Sequence, residues 1–186
     1  LSDGTLVSAF GVSGATTSDP STGIDQIFAI ATTSGALFVA GYDLAAGAGQ
    51  WRIEKHDSTD GSLITAFDTD GIIQTDPNSG DVDQITAIAV DGSYLYATGF
   101  QDDDTGIWRT HKYDITTGAL VTAFDGDGIA TTTLAATGDE RAQAIHVDAD
   151  YLYIAGYDNV PGNTEWRLEK RNKTTGALCA SVVECA

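Results

Sequence analysis

The chain has no methionine, three prolines, two cysteines and only nine basic residues among 186. Each shortage excludes something. Nine Lys and Arg against 27 Asp and Glu leave a net charge of −18. Such a surface repels nucleic-acid backbones and anionic membranes, so neither is expected as a partner. No run approaches the roughly 18 apolar residues of a membrane span, and no signal peptide is visible. The cysteines, Cys179 and Cys185, fit no familiar zinc spacing. In an acidic chain they are expected to close a small disulfide loop outside the cell; free thiols or pairing with another chain are the alternatives. Leu1 at the start and the absence of Met imply a mature or trimmed piece of something longer. The expected location is extracellular or cell-surface.

What the chain does have is repetition. Trp-Arg recurs at Trp51-Arg52, Trp108-Arg109 and Trp166-Arg167, 57 and 58 residues apart. Phe10, Phe67 and Phe124 keep the same interval, as do Gly4, Gly61, Gly118 and Gly176. A fixed period of this size marks a stacked or ring-like architecture built from one supersecondary unit.

Each unit holds four runs of strand character between Gly, Asp, Asn and Ser turns. The first run is Asp25–Thr32, Asp83–Val90 and Glu140–Val147, small or apolar on both faces and so expected to be the most buried. The second is Ala36–Tyr42, Tyr94–Phe100 and Tyr151–Tyr157. Its late glycine (Gly41, Gly99, Gly156) predicts a bulge or a close backbone approach. The third is Trp51–Asp57, Trp108–Asp114 and Trp166–Asn172, with Arg, Glu or His, and His, Tyr or Arg alternating onto a face expected to be half exposed. The fourth is Thr5–Phe10, Ser62–Phe67, Ala119–Phe124 and Ala177–Val182.

A longer crossing follows each fourth run. Four antiparallel strands and one longer crossing are the wiring of a β-propeller blade. The expected fold is therefore all-β, a single segment over residues 1–186 with blades at Asp25–Phe67, Asp83–Phe124 and Glu140–Val182 and an orphan outer strand at Thr5–Phe10. A β-solenoid is the main alternative, but it normally has a shorter coil. Three blades leave the ring incomplete. The chain is then a segment of a longer propeller, or one of several copies joined head to tail. A third option is self-closure, with Thr5–Phe10 displacing Ala177–Val182.

The run Trp108–Gly128, WRTHKYDITTGALVTAFDGDG, resembles the delta-sixty repeat, a β-propeller repeat of secreted bacterial proteins. Trp51–Gly71 shares the pattern, and Trp166–Leu178 shares its first half. The runs DQITAIAVDGSYLYATGF and DADYLYIAGY are similar to the inner hairpins of NHL-type propeller repeats. The resemblance implies a structural motif with no shared catalytic residues.

Candidate sites are few. Asp68, Asp70, Asp125 and Asp127 resemble the opening of a calcium loop, because hard cations take several carboxylate oxygens on one turn. The later acidic positions of such a loop are missing, and a plain Gly-Asp turn is the competing reading. No cofactor is expected unless these turns hold calcium. The cluster Asp102, Asp103 and Asp104 is a weaker candidate of the same kind. His146 stands in a first strand where the other units have Ala31 and Ala89; it lines a central channel or is a buried, hydrogen-bonded side chain. One Trp per unit argues for packing between units. Lys55, Lys112 and Lys170 share its face and are expected to pair with acidic turns. No Ser/His/Asp arrangement or phosphate-cradling loop is present.

The function expected is therefore a non-catalytic extracellular scaffold that binds protein or assembles with itself through blade edges. A calcium-dependent adhesion module and a propeller hydrolase or lyase are the alternatives.

Overall fold

In the computed structural model, residues 3–77, 80–102, 106–133, 140–159 and 163–180 are described below. They form no helix, and so none long and apolar enough to cross a membrane. The chain is all-β, in three antiparallel sheets that follow the three repeats. The first has the order β1 (Gln26–Thr33), β2 (Ala36–Asp43), β3 (Gln50–Asp57), β4 (Ile72–Thr75). The second repeats it with β5 (Gln84–Asp91), β6 (Tyr94–Gln101), β7 (Ile107–Asp114) and β8 (Ile129–Thr132). The third has β9 (Arg141–Val147), β10 (Tyr151–Asp158) and β11 (Glu165–Asn172), with no strand beyond β11 among the described residues.

The first three strands of each unit lie where aromatic and β-branched runs between tight turns put them. The late glycine does what its position implies. A Cβ on Gly41, Gly99 or Gly156 would collide with the carbonyl oxygen of Gln26, Gln84 or Arg141 on the neighbouring first strand. The ladder slips at the same level, between Ile27 and Ala29, between Ile85 and Ala87, and opposite Ala155 and Gly156. This is a bulge that only a residue without a side chain accommodates.

The fourth strand is not where the hydrophobic pattern puts it. Ser62–Phe67 and Ala119–Phe124 make only one bridge each, Leu63 to His56 and Leu120 to Tyr113, before turning. Their phenylalanines are plugs: Phe67 packs edge-on to Phe38 with ring centroids 5.7 Å apart, and Phe124 lies 6.4 Å from Tyr96. Leu178 bridges Arg171 in the same way, while residues 181–182 lie outside the described residues. Thr5–Phe10 likewise forms no strand. The true fourth strands, β4 and β8, lie in the segments read as crossings.

The sheets lean on one another in sequence, β1 against β5 and β5 against β9. One face of each sheet looks forward, to the next repeat. Trp51, Ile53 and Lys55 lie on this face of the first sheet, with Phe38 opposite Lys55. The other face looks back. The core fills the two junctions: Phe38, Trp51, Ile53, Phe67, Ile85 and Leu95 in the first, and Trp108, Phe124, Ala142, Leu152 and Ile154 in the second.

Burial therefore follows the sheets rather than the strands. The first strand is not the most buried: β1 is mostly exposed, whereas β6 in the central sheet is buried almost throughout. The third strands β3 and β7 are buried on both faces and β11 on its backward face, so Glu54, His56, His111, Glu169 and Arg171 are interior groups. A middle sheet has neighbours on both sides, and an end sheet has one.

Candidate functional site

Two junctions of the same design lie inside the chain, and each starts with a tryptophan. Trp51 reaches forward from β3, donates its Nε1–H to the Phe100 carbonyl at 3.2 Å and lies over the His111 ring. Trp108 reaches forward from β7 into the cluster of Ala142 and Ile154. The two are 1% and 2% exposed. The equivalent Trp166 on β11 is 97% exposed.

Main-chain bonds tie the same places together. The amide of Gly11 donates to the Asp60 carbonyl at 2.7 Å, that of Asp68 to Thr117 at 2.9 Å, and that of Asp125 to Thr175 at 2.8 Å. Thr5–Phe10 thus docks on the first repeat as the tail of one repeat docks on the next. The lysines complete each joint. Lys55 Nζ donates to the Ile115 carbonyl and stands 5.4 Å over both Phe38 and Phe67. Lys112 Nζ donates to the Lys173 carbonyl at 2.8 Å and stands 4.1 Å over Tyr94. Aromatic faces and carbonyls, rather than the expected acidic turns, hold these two charges.

On the backward face each third strand carries a buried polar triad. In the first sheet Arg52 Nε donates to Glu54 Oε1 at 2.7 Å, and His56 faces Glu54 Oε2 at 2.9 Å and the Gly61 carbonyl at 2.8 Å. Both ring nitrogens meet acceptors, so His56 is held as the imidazolium. The bond to Glu54 raises its pKa, against burial. Burial pushes Glu54 up, but the bonds from His56, Ser18 and Arg52 outweigh it and bring the carboxyl to about 2. In the second sheet His111 is sunk completely, and burial with the Arg109 charge lowers it to about 3. Its neutral ring lies within reach of the Arg109 Nε donor at 3.4 Å and the Tyr113 hydroxyl at 2.7 Å. In the third, Glu169 takes Arg167 and Arg171, each at 3.0 Å.

The preceding segment closes each triad with a hydroxyl. Ser18 Oγ donates to Glu54 Oε1 at 2.7 Å, Thr75 bonds Tyr113, and Thr132 Oγ1 donates to Glu169 Oε2 at 3.0 Å and meets Arg171 Nη2. Sequence reasoning passed over Ser18, Thr75 and Thr132, although their 57-residue spacing was the available signal.

At the first sheet Arg52 and Glu54 of the triad form the floor of an open pocket of about 260 Å3, lined also by Ser18, Ile27, Val39 and Gly41 among others. Its chemistry is that of a seat with an apolar wall and a satisfied polar floor. Ser18 gives its proton to a carboxylate and not to a histidine, and His56 has no lone pair free to act as a base.

The other sequence candidates fall elsewhere. Asp70 and Asp127 each turn an Oδ1 onto an amide, that of Ile72 at 2.9 Å and of Ile129 at 2.8 Å, and so start β4 and β8. Asp68 and Asp125 adopt left-handed backbone, with φ of 46° and 51°, and supply the junction amides. Among the described residues no three His, Cys, Asp or Glu side chains gather to hold a metal. Asp102 pairs with Arg141 at 3.7 Å; Asp103 and Asp104 lie outside the described residues. His146 is exposed, 6.4 Å from the Tyr153 ring, and is not the buried group expected. The Cys179 amide donates to the Lys170 carbonyl at 2.8 Å, and Cys185, its expected partner, lies outside the described residues. No protein-family model matches the chain, and no curated protein matches it significantly.

Proposed function

We propose that the chain is a segment of a β-propeller that serves as a non-catalytic extracellular scaffold, binding protein partners through the sheet faces at its two ends. The observation that carries this reading is the doubled junction: the same tryptophan, lysine, amide and hydroxyl recur at each, and one further face at either end repeats part of the design with its apolar residue, Ile27 or Trp166, exposed. First strands lying side by side, β1 to β5 to β9, agree with sheets arranged around a common axis. The resemblance of Trp108–Gly128 to a delta-sixty repeat points the same way. A net charge of −18 suits a secreted, highly soluble coat.

Polar groups that would serve an enzyme are engaged here in holding sheets together. The test is turnover of a panel of peptide, ester and glycoside substrates by the chain and by Glu54→Gln. None is expected from either. Turnover that Glu54→Gln abolishes would show the pocket to be an active site and end the scaffold reading.

A further inference from the structure

The two end faces are complementary, register for register. On the forward side Trp51 and Trp108 are covered by the following sheet, and Trp166 is not. On the backward side Ile85 and Ala142, beside the second-strand glycine, are both 0% exposed, whereas Ile27 at the same place is 66% exposed. Ile27, Val39 and Gly41 stand where Ala142, Ile154 and Gly156 receive Trp108.

The strand count is complementary too. β4 pairs with β3 so that Thr75 is opposite Trp51, and β8 pairs with β7 so that Thr132 is opposite Trp108. The third sheet lacks this strand among the described residues. One repeat length ahead of β4 lies Ala15–Ser18, with the sequence ATTS against IIQT in β4 and IATT in β8. Its Ser18 already touches Glu54 as Thr132 touches Glu169, yet apart from the bridges of Ala15 to Gly11 and Val12 in the turn before it, it pairs with no strand among the described residues.

We propose that the partner is a second copy of this chain, joined head to tail. Trp166 of one copy enters the Ile27, Val39 and Gly41 seat of the other. Ala15–Ser18 of that other copy pairs with β11 as its fourth strand, Ser18 opposite Trp166. The inference rests on the scaffold reading and names its partner. The occupant follows from the chain itself, because the joint it would make is the one the chain makes twice internally. One exchange accompanies it: Thr5–Phe10 and Ala177–Ala180 hold equivalent places in their repeats, so one gives way when the copies join. That cost lowers the affinity of the association and shifts it to higher concentration.

The experiment is sedimentation of the 186-residue chain from about 1 µM to about 500 µM, a range that brackets modest affinities. Acrylamide quenching of tryptophan fluorescence is followed alongside. The wild type is expected to dimerise, and its quenchable fraction, which belongs to exposed Trp166, to fall as it does. Trp166→Glu and Ile27→Asp each alter an exposed side chain, and circular dichroism checks that both fold. Each is expected to weaken association by about 30-fold or more, the scale of a central interface anchor. An equal mixture of the two keeps one intact joint and regains association.

A wild type that stays monomeric across the range overturns the proposal. So do variants that associate as it does, or a mixture that does not recover. Monomers without turnover leave the scaffold reading standing with a foreign partner. Turnover abolished by Glu54→Gln ends that reading and leaves the joint to the sedimentation result.

Discussion

Trp51 lies across the first junction over the His111 imidazole, with ring centroids 4.5 Å apart, and its indole N–H reaches past that ring to the Phe100 carbonyl. One residue of the first repeat thereby fixes both packing and polarity in the second. The equivalent Trp108 is as deeply buried but finds no acceptor for its Nε1 among the described residues.

This difference predicts an asymmetry between two chemically identical substitutions. Trp51→Phe loses a buried hydrogen bond and leaves the Phe100 carbonyl short of a donor, whereas Trp108→Phe removes an N–H with no partner among the described residues. Trp51→Phe is expected to cost about 1 kcal/mol more than Trp108→Phe in denaturant unfolding. Equal costs would mean that the indole bond contributes nothing. Truncation to Ala at either site opens a cavity and is expected to cost about 3–5 kcal/mol.

Gly99→Ala is expected to disrupt the central sheet. The new methyl would collide with the Gln84 carbonyl oxygen in the bulge, where backbone and not a flexible side chain would have to move. Gly92→Ala is the control, since a methyl there meets open space and only the left-handed backbone, φ 55°, opposes it. Thermal melts should show a much larger loss for Gly99→Ala.

His56 and His111 give opposite pH dependences. The raised pKa of His56 means that its stabilisation is complete below the ordinary histidine value near 6.5 and is lost as pH rises through the raised folded value. The penalty of His56→Gln should therefore be large at pH 6 and shrink in alkali. An equal penalty at pH 6 and pH 9 would contradict the imidazolium assignment.

His111 behaves in reverse. Its pKa is lowered from the ordinary value to about 3, so the fold is favoured above pH 6.5 and loses this contribution as acid approaches pH 3. Proton NMR should show one histidine titrating above its usual range and one still neutral at pH 5. A His111 that protonates near pH 6.5 would place it in water rather than beneath Trp51.

Lys112→Met keeps the aliphatic stem against Tyr94 and removes the charge that bonds the Lys173 carbonyl. The expected loss is about 1.5–3 kcal/mol by denaturant unfolding, the range for bonds to charged groups. A neutral result would assign the packing at this position to the stem alone.

The repeat, the all-β class, the first three strands and the glycine bulge were legible because each is a local matter of spacing, alternation and missing side chains. The fourth strand was not. ALVTAF alternates as a strand would, but Phe124 is drawn into the core and turns the chain, while the weakly apolar IATT pairs because β7 offers it an edge. Burial was misread for a related reason. A sequence shows which faces are apolar but not which sheets have neighbours, so exposed β1 and buried β6 look alike. The triads were not legible because His111 stands where the other sheets have Glu54 and Glu169, and only their shared place behind a junction joins them.

The amide-to-carbonyl links from Gly11, Asp68 and Asp125 use backbone alone, so beyond a residue that accepts left-handed φ they make little demand on side-chain identity. Gene duplication or loss of one whole unit would recreate the same link at the new seam, while an insertion of a few residues would break it. Change in this lineage is accordingly expected to come in whole-unit steps, with sibling chains differing in how many copies they carry.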